Sequence, residues 1–438
     1  MTSYRFLVTA IDSYGHINAA LGFAEGLKAA GHEVYFAHRE KHRHLAVKRG
    51  FSFIPFDNQL GETNLEGAIF QWIDAFADKF RQEPLKRFKG ISLDEKESLI
   101  VQAKIFAELN AALQRIVSDE NNKFDGIVSD TIISPYPFLY KHSIPWFPLA
   151  SLNPLILYPK GPPPFSGYSV NSDPSNWDEF REAYQRAHSR LTETTNENLT
   201  AAGLDPAKFD SARFVSSLQT IGFYHYPADL DYIECEPKDP NWHRVDAWVR
   251  QPDFDTEFVI PEKLQDKPGK VIYFSLGSLG SADLVIMKKL IAILAKSPHK
   301  FIISKGPRGD ALELADNMWG ENYVNQIAVV RGVDLVITHG GNNTFTETLY
   351  YGKPMIVIPY FYDQFDNAQR VVDKKVGFRI NPYELDEDYL LSCIEKIFED
   401  KEMQDRVKAI SHNMRNSNSF SQAIKMIERR IEQSKSKS

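Results

Sequence analysis

The feature that most constrains the fold is a strand–turn–helix–strand pattern that occurs near the start of the chain and again past its middle. Tyr4 to Ala10 is an apolar-rich run that stops at a polar turn, Asp12 to Gly15. Ile17, Leu21, Ala24 and Leu27 then recur about one helical turn apart, Gly31 offers a C-cap, and Glu33 to Ala37 restarts an extended run. Two strands joined through a helix lie parallel, with the helix as crossover. The pattern returns with Lys270 to Phe274 as strand, Ser275 to Ser281 as a Gly/Ser turn, Leu284 to Lys296 as helix and Phe301 to Ser304 as strand. Val333 to Thr338 and Met355 to Pro359 read as further buried strands. The expected class is α/β, with two wound parallel sheets facing a cleft at the C-terminal ends of their strands.

A length of 438 residues suits two domains. The expected boundaries are 1–235 for the first domain, 236–269 for a proline- and charge-dense linker, and 270–415 for the second domain. Residues 416–438 are expected to pack back on the first domain, with a polar end that frays. Within the first domain, Phe51 to Pro55 and Phe124 to Val128 read as strands, 65–120 as helical with breaks near Pro84 and Gly90, and Trp177 to Ala202 as a charged helix. GPPPFSGYS at 161–169 reads as surface loop. A net charge of -7 argues against nucleic acid as partner. Cys235 and Cys393 have no metal-like spacing, and the chain shows neither a signal peptide nor an apolar run of spanning length. The expectation is a cytoplasmic monomer without a membrane span.

The chemistry concentrates in VITHGGNNTFTETL, Val336 to Leu349. A strand ending in His339, two glycines and then Asn342, Asn343 and Thr344 at a helix start leaves outward-facing backbone N–H groups and a partial positive charge. That suits a phosphate, and equally suits a well-capped turn. Glu347, one turn on, either answers the helix dipole or accepts hydrogen bonds from a ribose diol. Asp363 and Gln364 follow another strand, where they could clamp sugar hydroxyls or simply cap a helix.

The run from Tyr323-Val324-Asn325-Gln326 through THGGNNTFTETLYYGKPMIVIPYFYDQFDNA resembles the donor-binding signature of the UDP-glycosyltransferases. SYGHINAALGFAEGLKAAGHEVYFA is similar to the family's opening βαβ unit, and FDGIVSD to the segment that supplies its catalytic acid. The resemblance implies two Rossmann-like domains (the GT-B fold) and transfer of a sugar, most simply glucose, from a UDP-sugar to a small lipophilic hydroxylated acceptor. It implies His339, Gly341, Asn343 and Thr344 around the diphosphate with Ser278 nearby, Glu347 and Gln326 on the ribose, Tyr323 on uracil, and Asp363 with Gln364 on the sugar. Tyr323 stands in place of the family's usual tryptophan, and Asn325 in place of a common proline.

His16 alone reads as a surface or helix-capping histidine. The resemblance makes it the general base, with Asp130 rather than the nearby Asp125 as its partner because Asp130 ends a strand. Transfer would invert the anomeric centre and use neither metal nor other cofactor. The pairs Asp229/Asp231 and Asp386/Asp388 read as structural. So does the basic face KHRH at 41–44, and His32 reads as exposed. Phe147, Phe165, Tyr168 and Phe223 are candidate acceptor contacts. A UDP-sugar epimerase of similar fold and a non-catalytic sugar-nucleotide-binding protein are the rival readings. A nicotinamide-binding turn is disfavoured because GSLGSAD lacks G-x-G-x-x-G spacing.

Overall fold

A computed structural model describes residues 2–56, 70–71, 74–75, 81–131, 136–206, 209–210, 215–216, 220–235, 238–251 and 257–436. Parts of two expected segments, the 65–120 helical region and the 236–269 linker, lie outside these residues.

The first sheet begins with β1 (Arg5–Ala10), β2 (Glu33–His38), β3 (Ser52–Pro55), β4 (Gly126–Asp130) and β5 (Trp146–Ala150). The two-residue strands β6 (Phe209–Asp210) and β7 (Val215–Ser216) form a separate antiparallel pair. β8 (Gly222–His225) and β9 (Trp242–Val245) complete the first sheet, in the order β3-β2-β1-β4-β5-β8-β9. The second sheet contains β10 (Val271–Ser275), β11 (Lys300–Ser304), β12 (Met318–Glu321), β13 (Leu335–Thr338), β14 (Met355–Val357) and β15 (Gly377–Arg379). Its order is β12-β11-β10-β13-β14-β15. Every pairing within these two sheets is parallel. Helices cover both faces, so the central strands β4, β5, β10 and β13 are buried along their whole length.

This topology fixes where ligands can bind. The winding direction reverses between β1 and β4 in the first sheet and between β10 and β13 in the second. Loops leaving two such adjacent strands diverge and open a crevice at their C-terminal ends. The helix after β1 carries His16 in its first turn and β4 ends on Asp130, while the short helix Gly277–Gly280 after β10 carries Ser278 and the turn after β13 carries His339.

The two halves share an apolar cluster. Tyr224, Tyr226 and Leu230 from the first pack with Phe345, Leu349 and Val371 from the second. The terminal helix Ser419–Lys435 returns to the first sheet, burying Ile424, Ile427 and Ile431 among Phe23, Val34 and Trp248. Phe420 lies so close to Gly26 that a Cβ there would come within 2.3 Å of its ring, so glycine is required for the helices to meet.

Several local expectations change. His32 is buried, not exposed, because the terminal helix covers it and brings Glu428 to 3.3 Å. The 161–169 stretch is not all surface, since Phe165 is buried against Tyr184. The 236–269 range includes β9, an edge strand of the first sheet. The charged helix at 177–202 is two helices, Ser175–Ala187 and Ser189–Ala201.

Candidate active site

His16 sits in the first turn of the helix Tyr14–Ala29, which leaves β1. β1 and β4 pair in register with Ala10 opposite Asp130, so the carboxylate ends its strand beside the start of that helix. The His16 Nδ1 to Asp130 Oδ2 distance is 3.0 Å, and the Asp130 side chain is fully buried. Burial works against a charged His16 ring, but Asp130 and then Asp363 outweigh it, so the imidazole is more basic than usual. Asp125, the rival partner, is occupied elsewhere: it accepts the Arg5 backbone N–H at 2.8 Å and pairs with Lys435 at 2.6 Å.

Across the cleft, Gly341 caps the helix Asn342–Tyr350. The His339 ring fills the space that side chains at 277 and 341 would claim. A Cβ on Gly277 would lie 2.7 Å from Cε1, and one on Gly341 would lie 2.4 Å from Nε2. Burial pushes the imidazole down to about 4, opposed by a hydrogen bond to the Ser275 backbone. His339 is therefore neutral near pH 7 and can offer an N–H but not a charge. Behind it, Gln326 Nε2 donates to Glu347 Oε2 at 2.6 Å and to Thr344 Oγ1 at 3.1 Å. Tyr323 stands more exposed, at the rim.

Asp363 follows Tyr362, a non-glycine residue with φ of 41°, and precedes the helix Gln364–Asp373. Burial raises its carboxyl to about 6, opposed by the Asn153 backbone N–H at 2.9 Å and by His16. Gln364 Oε1 accepts the backbone N–H groups of Tyr360 and Phe361, which closes the turn after β14. The two halves are also tied together by polar side chains. Asn343 Nδ2 donates to the Gly15 carbonyl beside His16, and Asn342 Nδ2 donates to the His225 carbonyl at 3.0 Å. Asn342 thus faces the first domain.

Phe147 and Phe223 do not line the cleft. Both are fully buried in the first-sheet core, where β5 and β8 are covered on both faces, so neither presents surface to an acceptor. Phe165 does border a cleft, with Arg87, Phe88, His188, Tyr362 and Phe365. Tyr168 packs against Phe180.

Sequence reading missed Ser151, directly after β5, which touches both His16 and Asp130. It also missed Arg250, whose Nε lies 3.5 Å from Glu347 Oε1. A lone serine and a lone arginine carry no motif, and only the strand-end position of Ser151 could have flagged it. The basic face at 41–44 is broken by His42, which is buried and bonded to Asp12 at 2.8 Å. Asp12, His38 and His42 bring possible ligand atoms within 4.8 Å of one another. Arg39 and Lys41 already pair with the same carboxylate at 3.0 and 3.3 Å, and two cations there repel a divalent ion. The two acidic pairs read as structural hold local bonds. Asp231 accepts the Tyr158 and Tyr224 hydroxyls, and Asp386 caps the helix Glu387–Glu399.

Comparison with known proteins points to the same fold. The model of the glycosyltransferase family 28 C-terminal domain matches residues 271–427, which span the whole second sheet. The chain is 24% identical over 437 residues to the NDP-glycosyltransferase YjiC of Bacillus subtilis, covering 98% of this chain and 97% of that protein. It is 29% identical over 176 residues to the putative UDP-glucuronosyltransferase ugt-50 of Caenorhabditis elegans, covering 37% of this chain but only 34% of that relative. The crystal structure of the glycotransferase of kitacinnamycin superposes with a TM-score of 0.68 at 19% identity, covering 98% of both chains. No helix among the described residues is long and apolar enough to cross a membrane. With both sheets, both switch points and the second-domain match in agreement, the chain has the GT-B fold, and it is similar to the UDP-glycosyltransferases.

Proposed function

We propose that the protein is an inverting glycosyltransferase that moves a sugar, with glucose as the proposed donor sugar, from a UDP-sugar to a hydroxyl of a small lipophilic acceptor such as a phenol or flavonoid. The observation that carries this reading is the bond from Asn343, at the start of the anion-facing helix, to the Gly15 carbonyl beside His16. It holds a base from one domain against a phosphate seat from the other.

In this reading the diphosphate lies against the N-terminus of Asn342–Tyr350, with donors from Gly341, Asn343 and Thr344 and the neutral His339 N–H. Ser278 lies near the diphosphate. Glu347 and Gln326 take the ribose, and Tyr323 stacks on uracil at the rim. Asp363 and the Gln364 amide N–H group hold the sugar hydroxyls. His16 Nε2 removes the acceptor's proton as that oxygen attacks the anomeric carbon, and Asp130 holds Nδ1–H and stabilises the imidazolium. The bond from the anomeric carbon to the phosphate oxygen breaks, and UDP leaves with the electron pair into preorganised N–H donors. Because those donors take up the leaving group's charge, the scheme needs no metal.

The test is a mass-spectrometric screen of nucleotide-sugar donors against a panel of phenolic acceptors. A glycoside formed from UDP-glucose and unaffected by EDTA is the expected result, and transfer abolished by EDTA would overturn the metal-free scheme. The pH dependence is a separate prediction. His16 works only when neutral, and Asp363 accepts sugar hydroxyls best when ionised. Asp363 protonates below about 6, and His16 protonates below its raised value, so both losses fall on the acid side. kcat/KM should therefore drop from neutral pH toward about pH 5 more steeply than one proton allows. A profile that stays flat through pH 6 would rule out these roles.

A further inference from the structure

We propose that Ser151 is a positioning residue that restrains the basicity of His16, an inference that rests on the transferase reading of the His16–Asp130 pair. The three side chains form a triangle. His16 Nδ1 to Asp130 Oδ2 is 3.0 Å, Ser151 Oγ to Asp130 Oδ2 is 2.5 Å, and Ser151 Oγ to His16 Nδ1 is 3.3 Å. All three residues are buried.

A hydroxyl has one proton to give. The short edge assigns it to Asp130, so the Ser151 oxygen is left facing His16 Nδ1 as an acceptor. Nδ1–H is then shared between Asp130 Oδ2 and Ser151 Oγ. That pins the tautomer with a bare Nε2 lone pair, the form a base requires.

The same geometry also tunes the base. Both bonds to the carboxylate converge on Oδ2, while Oδ1 is buried with no hydrogen-bond partner among the described residues. The serine proton therefore competes with the imidazole for one oxygen, and it spreads negative charge that would otherwise favour imidazolium. The 3.3 Å contact acts in the opposite sense, because the Ser151 lone pair also favours N–H. A charge-assisted bond at 2.5 Å outweighs a neutral contact at 3.3 Å, so the net effect of Ser151 is to hold His16 less basic than Asp130 and Asp363 would make it. Those two carboxylates are the charged groups that act on the ring from β4 and from the opposite domain.

The consequence is a division of labour. Asp130 makes the imidazole basic enough to take a proton from a phenol. Ser151 limits how far that basicity rises, so that more of the ring stays neutral and able to act. Ser151 exchanges no proton itself. The proton from the acceptor rests on Nε2 and is then lost to solvent.

The test titrates the His16 ring directly by nitrogen-detected NMR on histidine-labelled protein, with the signal assigned by its absence in His16→Ala. In Ser151→Ala the ring should titrate higher than in the parent protein by roughly half a unit to one unit. Ser151→Thr, which keeps the hydroxyl, should restore the parent value. An unchanged or lowered value in Ser151→Ala, or the same rise in both variants, overturns the proposal. UDP affinity is the fold control and should not change, because the seat lies in the other domain. The titration needs no substrate, so a protein that transfers no sugar refutes the transferase reading while the NMR result still decides the role of Ser151.

Discussion

Replacing His16 with alanine is expected to lower kcat by about 10²–10⁴-fold with a phenolic acceptor while UDP binds as tightly as before. The asymmetry follows from where the parts are. The proposed base and Asp130 belong to the first half of the chain, whereas the groups proposed to hold UDP belong to the second. The direct tie between His16's turn and the proposed phosphate seat uses the Gly15 backbone carbonyl, which the substitution leaves in place. What is lost is a proton acceptor for the attacking hydroxyl. The deficit should therefore shrink as the acceptor becomes more acidic, because a phenol already ionised at the assay pH needs no base. Steady-state rates across a series of substituted phenols, with UDP affinity by calorimetry, make the check. Undiminished turnover would remove His16 as the base, and lost UDP affinity would show that the cleft, not the chemistry, had been damaged.

The pairing of His16 with Asp130 and the turns that face each other across the cleft are legible in the sequence, and the reasons are local. Strand ends, glycine turns and helix starts leave marks in a short window of sequence, and both switch points lie at such marks. Asp130 could be preferred over Asp125 on position alone, and the pairing of Ala10 with Asp130 gives that preference its physical basis. What stayed hidden depends on contacts between distant parts of the chain. His32 looked exposed because nothing nearby announces that a helix near residue 428 will cover it. Phe147 and Phe223 looked like ligand contacts because aromatics on strands covered on both faces lack the alternation that separates core from cleft. His42 sat within a basic run, yet burial against Asp12 places it inside.

The polar ties between the halves follow the same rule, and one network shows what they do. Asn153 donates from its side chain to Asn367 Oδ1 at 2.8 Å and from its backbone to Asp363 Oδ2 at 2.9 Å. Asn367 in turn donates to the Gly340 carbonyl at 2.8 Å. One first-domain asparagine thus contacts the proposed sugar-binding acid directly and the glycine turn of the proposed phosphate seat through Asn367. No motif search finds such a link, because each asparagine has meaning only through its partners.

Arg370→Ala should cost about 2–4 kcal/mol of stability. The arginine is about 1% exposed, on the helix that begins with Gln364. Its Nε donates to the Leu230 carbonyl at 2.7 Å, and Nη2 donates to the Asp231 carbonyl at 2.6 Å and to Glu234 at 2.8 Å. The guanidinium also lies 4.4 Å from the Tyr232 ring centroid. Alanine would strip two first-domain carbonyls of their donor and leave a cavity where the halves meet. The ion pair itself is the smaller part, because Glu234 is more than a third exposed and solvent screens it, so Glu234→Gln should cost under about 1 kcal/mol. The pair should still leave a mark in acid. Burial alone would raise the Glu234 carboxyl, but Arg370 and Lys374 bring it down from 4.5 to about 2. Its contribution is therefore present above its unfolded value and lost as pH falls through that window, and Glu234→Gln should flatten this part of the acid profile. Urea denaturation of both variants at neutral and acid pH makes the comparison. Equal losses in the two at neutral pH would mean that the ion pair, and not the bonds to the carbonyls, joins the domains at this point.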